Sequence, residues 1–277
     1  MLRRSPALAA AAMLLGLALS GCTAAQSDPQ NSDGQSSDDP TDVKAQVVEA
    51  PKIGACRVLQ PADLAAPSDD TATIPCTRPH NAETYAVGPF KGKLADASYD
   101  DPQLGAHVYD LCSKAFMKFT GADESLALRS VVSWAWFRPT EDQWAAGARW
   151  FRCDVVGGTD ASAELVDLPK TARGVLLGIP GDRWMACVKG PTVSGAPTVP
   201  CTEPHDWRAV TTIVVGQPKD KYPGDRLVEV QSRDYCHNSV GGWMNYPIDY
   251  KYAYTWFHKA DWELGNRRSI CWAGTKD

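Results

Sequence analysis

The chain has 277 residues, of which 44% are hydrophobic and 22% are charged, and its formal net charge is −5. This composition is typical of globular proteins, and the length favours about two domains. The acidic balance argues against a nucleic-acid partner, since proteins that bind nucleic acids concentrate lysine and arginine on one face.

The first 21 residues have the pattern of a bacterial export signal. Two arginines precede an apolar stretch at 7–19 that is too short to span a bilayer. The sequence Leu-Ser-Gly before Cys22 then resembles a lipobox, in which the cysteine takes a diacylglycerol thioether and acyl chains such as palmitate. An ordinary secretory signal is the alternative. Because the arginines, the apolar stretch and the cysteine occur in the order and spacing of such a signal, we expect a lipoprotein signal peptide at 1–21 and a lipid at Cys22.

Residues 22–47 are predicted to be a flexible tether. Between 23 and 43 there are five aspartates and no lysine or arginine, and nearly all other residues are small or polar. Such a segment cannot bury enough apolar surface to fold. Its average reach is about 25–30 Å, which places the folded part near the outer face of the cytoplasmic membrane.

Two hexapeptides, 125 residues apart, organise the rest of the chain. They read Pro-Cys-Thr-Arg-Pro-His at 75–80 and Pro-Cys-Thr-Glu-Pro-His at 200–205. Each is followed by a cysteine at helical spacing and then by W-x-x-G-x-R-x-x-x-C, at 144–153 and 262–271. Features repeated in the same order indicate a duplication. The predicted segments are repeat 1 (48–158), a linker (159–173) and repeat 2 (174–277).

Each repeat is predicted to contain two strands, a helix and two further strands. Asp101 and Pro102 favour the start of the first helix, apolar residues follow at helical spacing, and Gly121 favours its end. Asp225 is predicted to cap the second helix. The predicted strands are 54–59, 82–87, 130–137, 149–156, 184–188, 209–215, 250–256 and 265–272. The fold class is therefore α+β, with two tandem copies of a small disulfide-stapled β-β-α-β-β domain.

Cysteine usage supports export. Nine cysteines occur, and each repeat has four once Cys22 is set aside. An even number in an exported chain indicates disulfides, but four cysteines allow three pairings and the sequence does not choose among them. Zinc is the alternative, although the chain has no C-x-x-C and its cysteine intervals are unlike those of zinc fingers.

The lipobox, the order C…P-C-T-x-P-H…C…W-x-x-G-x-R-x-x-x-C and its repetition resemble the septum formation-related domain of actinobacterial envelope proteins. The resemblance covers about 54–156 and 185–272. His80 and Glu83 match the form P-C-x-x-P-H-x-x-E, whereas repeat 2 has Arg208 in place of the glutamate, next to Trp207. The resemblance implies a location in the cell envelope and a fold more than an activity.

We predict that the disulfides stay within the repeats. The first pair of each repeat closes a short loop, and the second joins the helix to the closing strand. Each bond is expected to stabilise the fold by about 2–4 kcal/mol. The predicted pairs are Cys56–Cys76, Cys112–Cys153, Cys187–Cys201 and Cys236–Cys271.

His80 and His205 are the sharpest candidates for a polar site. With Glu83 orienting His80, they suit acid–base or metal chemistry, and the protein would be an envelope hydrolase or a metal-dependent enzyme. Alternatively, each histidine stabilises a loop that the adjacent proline stiffens. We favour the second interpretation because repeat 2 lacks the glutamate. No motif for a nucleophile, a metal or a phosphate is present, so we expect no catalytic residue, metal or cofactor.

Aromatic residues are the other unusual feature, with ten tryptophans in the chain. Tyr252, Tyr254 and Trp256 alternate along one strand, which indicates a packing face or a platform that stacks on cell-wall sugars. We expect a non-enzymatic binding module with an envelope protein or cell-wall component as its partner; a glycan-binding module is an alternative. The candidate binding residues are His80, Glu83, His205 and Trp207.

The lipobox generates a direct test. Replacing the acylated cysteine, Cys22→Ser, removes the thiol that carries the lipid, so the variant is expected to leave the membrane fraction and to take up no labelled lipid precursor. Wild-type protein that is found unlipidated in the medium would show that the anchor is wrong.

Overall fold

The computed structural model describes residues 48–159, 161–217 and 219–275, which belong to one compact unit, Ala45–Asp277. The predicted signal peptide (1–21), Cys22 and the rest of the tether (22–47) lie outside the described residues. None of the helices in the described part is long and apolar enough to cross a membrane.

The first sheet has four antiparallel strands in the order β1-β2-β4-β3. Its helix α1 lies on one face, and two short helices, α2 and α3, flank β3. The elements are β1 (Cys56–Arg57), β2 (Ala82–Pro89), α1 (Pro102–Thr120), α2 (Glu124–Leu128), β3 (Ser133–Phe137), α3 (Glu141–Ala145) and β4 (Trp150–Val156).

Helix α1 forms where its local signals predict it. The Asp101 side chain accepts a hydrogen bond from the backbone N–H of Gln103 at 2.8 Å, Pro102 occupies the first helical position, and Gly121 ends the helix with φ 81°. One face of α1 is buried against Tyr85, Phe151 and other apolar residues of the first sheet. The α1 residues on this face are Leu104, Val108, Cys112, Phe116 and Phe119.

The second sheet has five antiparallel strands in the order β6-β5-β7-β9-β8. The short strand β6, which pairs with β5, was not predicted. In the first sheet the corresponding chain makes only an isolated bridge between Cys56 and Ile74. The elements are β5 (Ala186–Val188), β6 (Thr198–Pro200), β7 (Trp207–Val214), α4 (Asp225–Trp243), β8 (Tyr252–Thr255), α5 (Lys259–Leu264) and β9 (Arg268–Gly274).

The start of α4 corrects one prediction. Gly224, not Asp225, is the N-cap, and Asp225 is the first helical residue. Gly224 has φ 93° and ψ 147°, a backbone conformation that is essentially restricted to glycine. The Asp225 carboxylate accepts a hydrogen bond from the Tyr222 hydroxyl and makes no side-chain cap.

The two sheets share their register in detail. Strands β2 and β4 pair with a shift between Thr84 and Ala86, and β7 and β9 pair with the same shift between Ala209 and Thr211. In each sheet the cysteine of the closing strand lies opposite the residue after the shift. The two halves therefore place equivalent residues at equivalent points of their sheets.

All four predicted disulfides are confirmed, with Cα–Cα distances of 5.0–5.7 Å. In each half one bond spans 20 or 14 residues and closes the loop before the second strand. The other spans 41 or 35 residues and joins the long helix to the closing strand.

The segment 159–173, predicted to be a linker, packs against the first sheet. Leu168 and Ala172 are buried in the same core as α1, and the Leu168 N–H donates to the carbonyl of His80 at 2.8 Å. The segment is therefore part of the first core.

Helix α2 and the residues after it contact the second sheet directly. The Thr212 hydroxyl donates to Ser125 Oγ at 2.9 Å, the Ala186 N–H donates to the Arg129 carbonyl at 2.8 Å, and Arg268 Nε donates to Glu124 Oε2 at 2.8 Å. These bonds fix the two sheets relative to each other.

A buried ionic network covers the face of the first sheet opposite α1. Asp154, with 0% of its side chain exposed, accepts hydrogen bonds from Thr84 Oγ1 at 2.7 Å and from Arg152 Nε at 2.9 Å. Arg57 Nη1 donates to Thr84 Oγ1 at 2.9 Å and lies 3.8 Å from Asp154 Oδ2. Arg152 also pairs with Asp69, so two arginines face two aspartates.

The same positions of the second sheet are apolar. Ala209 pairs with Trp272 as Thr84 pairs with Asp154, and Val188 occupies the place of Arg57. These residues belong to a hydrophobic cluster that Val193 and Ala196 cover. The fold therefore fills one structural position with ion pairs in one half and with side-chain packing in the other.

The buried network predicts a large effect of a single substitution. Asp154→Asn leaves Arg57 and Arg152 short of one negative charge, so the free energy of unfolding should fall by about 3–5 kcal/mol, measured by urea denaturation. The matched control is Asp110→Asn, which breaks the exposed pair with Lys114 and should change stability by about 0.5 kcal/mol or less. Equal losses in the two variants would contradict a stabilising role for the network.

Candidate functional site

The histidines of the two hexapeptides make the same local contact. His80 Nδ1 lies 2.8 Å from the carbonyl oxygen of Arg78, and His205 Nδ1 lies 2.7 Å from that of Glu203. Because a carbonyl oxygen only accepts, each Nδ1 is the donor. The proline between the two residues has a fixed φ. Each histidine thus closes the turn of its own hexapeptide.

His80 and Glu83 are both buried, with 1% and 5% of their surfaces exposed. The Glu83 carboxylate accepts from Thr171 Oγ1 at 3.0 Å and from the Ala172 N–H at 2.7 Å. Its hydrogen bonds therefore hold the segment after the first sheet, and the predicted orienting contact from Glu83 to His80 is not among them. The remaining ring nitrogen of His80, Nε2, has no partner in the part of the chain that the structure describes.

The corresponding residues of the second half also contact a neighbouring loop. Arg208, in the place of Glu83, donates to Asp182 Oδ1 at 2.7 Å, and this hydrogen bond lowers the pKa of Asp182. Trp207 Nε1 donates to the Gly190 carbonyl at 3.1 Å. His205 is half-buried and lies two residues before β7. Within the described ranges, no three side chains among histidine, cysteine, aspartate and glutamate form a group that suits a metal ion.

The predicted aromatic row is largely a packing face. Tyr252 and Tyr254 are half-buried against the cluster that contains the Cys236–Cys271 bond. Trp256 packs in a neighbouring cluster with Phe257. Their part-exposed edges leave the glycan-binding interpretation as a prediction.

The W-x-x-G-x-R motif builds a cation–π pair in each half. The guanidinium of Arg149 lies 4.2 Å from the ring centroid of Trp144, and that of Arg267 lies 3.6 Å from Trp262. Each arginine also donates from Nη1 to the carbonyl of its tryptophan. The glycine of the motif has φ 96° in one copy and 107° in the other, which turns the chain from the short helix into the closing strand.

A cavity of about 430 Å³ lies between α1 and the start of β9. Tyr109 lines it, and its ring lies 5.4 Å from that of Trp134 in an edge-to-face arrangement. Burial raises the pKa of Tyr109, and Asp261 and Glu124 act in the same direction. The apolar lining residues include Phe116, Met117, Ala127, Leu128, Trp134, Val214 and Leu264.

Ionised groups line the rest of the cavity. Lys114 is paired with Asp110 at 2.7 Å, and Arg268 is paired with Glu124 at 2.8 Å. Arg267 is the third cation, and burial lowers its pKa. A cavity of this size with an apolar wall and a few polar groups has the character of a small-ligand site. Sequence reasoning missed it because its two walls are about 150 residues apart along the chain.

The hexapeptide contacts predict that both histidines stabilise the fold. His80→Ala removes a buried hydrogen bond to Arg78 and should cost about 1–3 kcal/mol, whereas His205→Ala, at a half-buried site, should cost about 0.5–1.5 kcal/mol. Melting curves with metal analysis test this. Stoichiometric zinc that either variant loses, with little change in the stability of the metal-free protein, would replace the structural role by a metal site.

A family model described as septum formation matches residues 54–271. The match is one continuous span through both halves, and it includes both hexapeptides, all four disulfides and every residue that lines the cavity. No curated protein and no solved structure matches the chain significantly. Because the matched span covers well over half of its length, the chain belongs to the septum formation family.

Proposed function

We propose that this protein is a non-enzymatic lipoprotein of the actinobacterial cell envelope, linked to septum formation, which binds a partner through the cavity between its two sheets. The observation that carries the proposal is the cavity itself, about 430 Å³ with an apolar wall and a charged rim. Its volume lies within the range of ligand sites in proteins. Membership of the septum formation family supports the link to the envelope.

The arrangement of side chains favours binding over catalysis. The ring Nδ1 atoms of His80 and His205 are both engaged in closing their own turns. At the cavity, Lys114 and Arg268 are ion-paired with Asp110 and Glu124. The envelope hydrolase and the metal-dependent enzyme are therefore the less favoured functions.

The proposed location rests on two features. The lipobox at Cys22 would attach the chain to the outer face of the cytoplasmic membrane, and acyl chains contribute about 0.8 kcal/mol per buried methylene. Four disulfides fit an oxidising compartment. The tether at 22–47 would keep the cavity within reach of partners near the membrane.

The same proposal treats the two halves as tandem copies of one ancestral unit. The shared strand order, the shared register shift and the matching disulfides support this origin. The cavity would then be a product of duplication, because residues from both copies line it.

Site-specific crosslinking tests the binding role. A photo-reactive amino acid at Ser113, which lines the cavity, is expected to capture a discrete adduct in intact cells. The matched control is the same amino acid at Ser194, an exposed position on the loop between β5 and β6, which should not form that adduct. The same adducts from both positions, or none from Ser113, would contradict a partner in the cavity.

A further inference from the structure

The arginines of the two W-x-x-G-x-R motifs have different hydrogen-bond partners. In the first half, Arg149 Nε donates to the Ala95 carbonyl at 2.6 Å, in addition to the bonds from Nη1. In the second half, Arg267 Nη1 donates to the carbonyls of Trp262 and Asn266. Arg267 Nε, however, is buried and has no hydrogen-bond partner within residues 48–159, 161–217 and 219–275. The arginine Nε is therefore bonded to a backbone carbonyl in the first copy and unpaired in the described part of the second.

The open donor belongs to a recognisable binding element. The Nε–H and the Nη2 amino group of arginine point the same way and form a fork that matches two oxygens of a carboxylate or a phosphate. Among the described residues, Nε of Arg267 has no hydrogen-bond partner, the side-chain hydrogen bonds of Arg267 come from Nη1, and no carboxylate is ion-paired with Arg267. Buried donors in native proteins are nearly always satisfied by protein, water or a bound group, so a ligand can supply the acceptor for this one.

The surroundings of Arg267 indicate what the acceptor belongs to. Arg267 lines the cavity, and the other two cations there, Lys114 and Arg268, already have acidic partners. The ionised lining residues comprise three cations and two anions, so the lining itself carries one excess positive charge. Asp220, which is outside the lining, acts on Arg267 through the field of its carboxylate and is not ion-paired with it. The apolar wall, which includes Phe116 and Trp134, favours a ligand with an apolar body.

We propose that the cavity binds an amphiphilic organic anion, whose carboxylate or phosphate group is held by the side-on fork of Arg267 and whose apolar part packs against Phe116 and Trp134. This inference rests on the binding role proposed for the cavity and names the chemistry of its ligand. Arg149 has the same motif but its Nε is already bound, so it provides an internal control.

Calorimetric titration of the full-length Cys22→Ser protein with octanoate, octyl phosphate and octanamide tests the proposal. At least one of the two anions should bind, and the uncharged octanamide, of the same chain length, should bind at least about tenfold more weakly. The tighter of the two anions identifies the oxyanion. Octanamide that binds as tightly as both anions would overturn the proposal.

Variants then assign the binding to Arg267. Arg267→Gln should raise the Kd of the preferred anion at least about tenfold. Arg267→Lys keeps the charge without the fork and should also weaken binding, which matters if the glutamine variant folds poorly. Arg149→Gln should lower the melting temperature and leave the Kd within about twofold of the wild-type value. Unchanged affinity in a folded Arg267 variant would overturn the assignment.

Failure of this inference is distinguishable from failure of the proposed function. If none of the three probes binds the Cys22→Ser protein with Arg267 intact, the amphiphilic anion is wrong. Crosslinking from Ser113 then decides independently whether the cavity receives another partner.

Discussion

A disulfide from the long helix to an interior strand fixes the geometry of each half. Cys112 on α1 is bonded to Cys153 on β4, and Cys236 on α4 is bonded to Cys271 on β9. Two of these cysteines, Cys112 and Cys271, are close in the chain to residues that line the cavity. Cys112 falls within the stretch of α1 that forms one wall, and Cys271 follows the arginines of the other wall by a few residues. The covalent bonds that hold each helix on its sheet thereby also position the candidate site.

The opposite faces of the two sheets show two solutions to one packing problem. Buried ion pairs are not inherently more stabilising than well-packed apolar side chains, so the network around Asp154 is not explained by stability alone. Its hydrogen bonds are directional: Arg152 bonds to Asp69, and Arg57 Nε donates to the Thr71 carbonyl at 3.2 Å. They hold the covering loop in one conformation. On the second sheet, Val193 and Ala196 cover the face by apolar contacts, and the covering loop is hydrogen-bonded at Gly190 to Trp207 and Asp206 instead of being held by ion pairs.

Local signals were the most informative part of the sequence. The ends of α1 are predictable from Asp101, Pro102 and Gly121, because each of these residues starts or ends the helix through its own backbone or side chain. Disulfide pairing was predictable once the strands and helices were placed, because each bond joins neighbouring elements of its own half. By contrast, β6 has only three residues, ends in proline and depends on its pairing with β5. No local pattern signals such a strand.

The candidate site was beyond sequence reasoning for a different reason. The W-x-x-G-x-R motif occurs twice in the chain, so Arg149 and Arg267 have the same local sequence pattern. They differ because the carbonyl of Ala95 accepts from Nε of Arg149, whereas no described residue accepts from Nε of Arg267. Likewise, the closeness of Glu83 to His80 in the sequence predicts a contact between them. The Glu83 carboxylate instead accepts hydrogen bonds from Thr171 and Ala172, which are far along the chain. Long-range packing decides both cases.

The bonds of Glu83 also determine how the protein can be divided. A fragment that ends at 158 would bury a carboxylate without its two donors and would lose Leu168 and Ala172 from its core. The duplicated pattern suggests two modules that could be expressed or exchanged separately. The contacts instead place both repeats in one compact unit, so that a cut at the apparent boundary between them would break buried interactions.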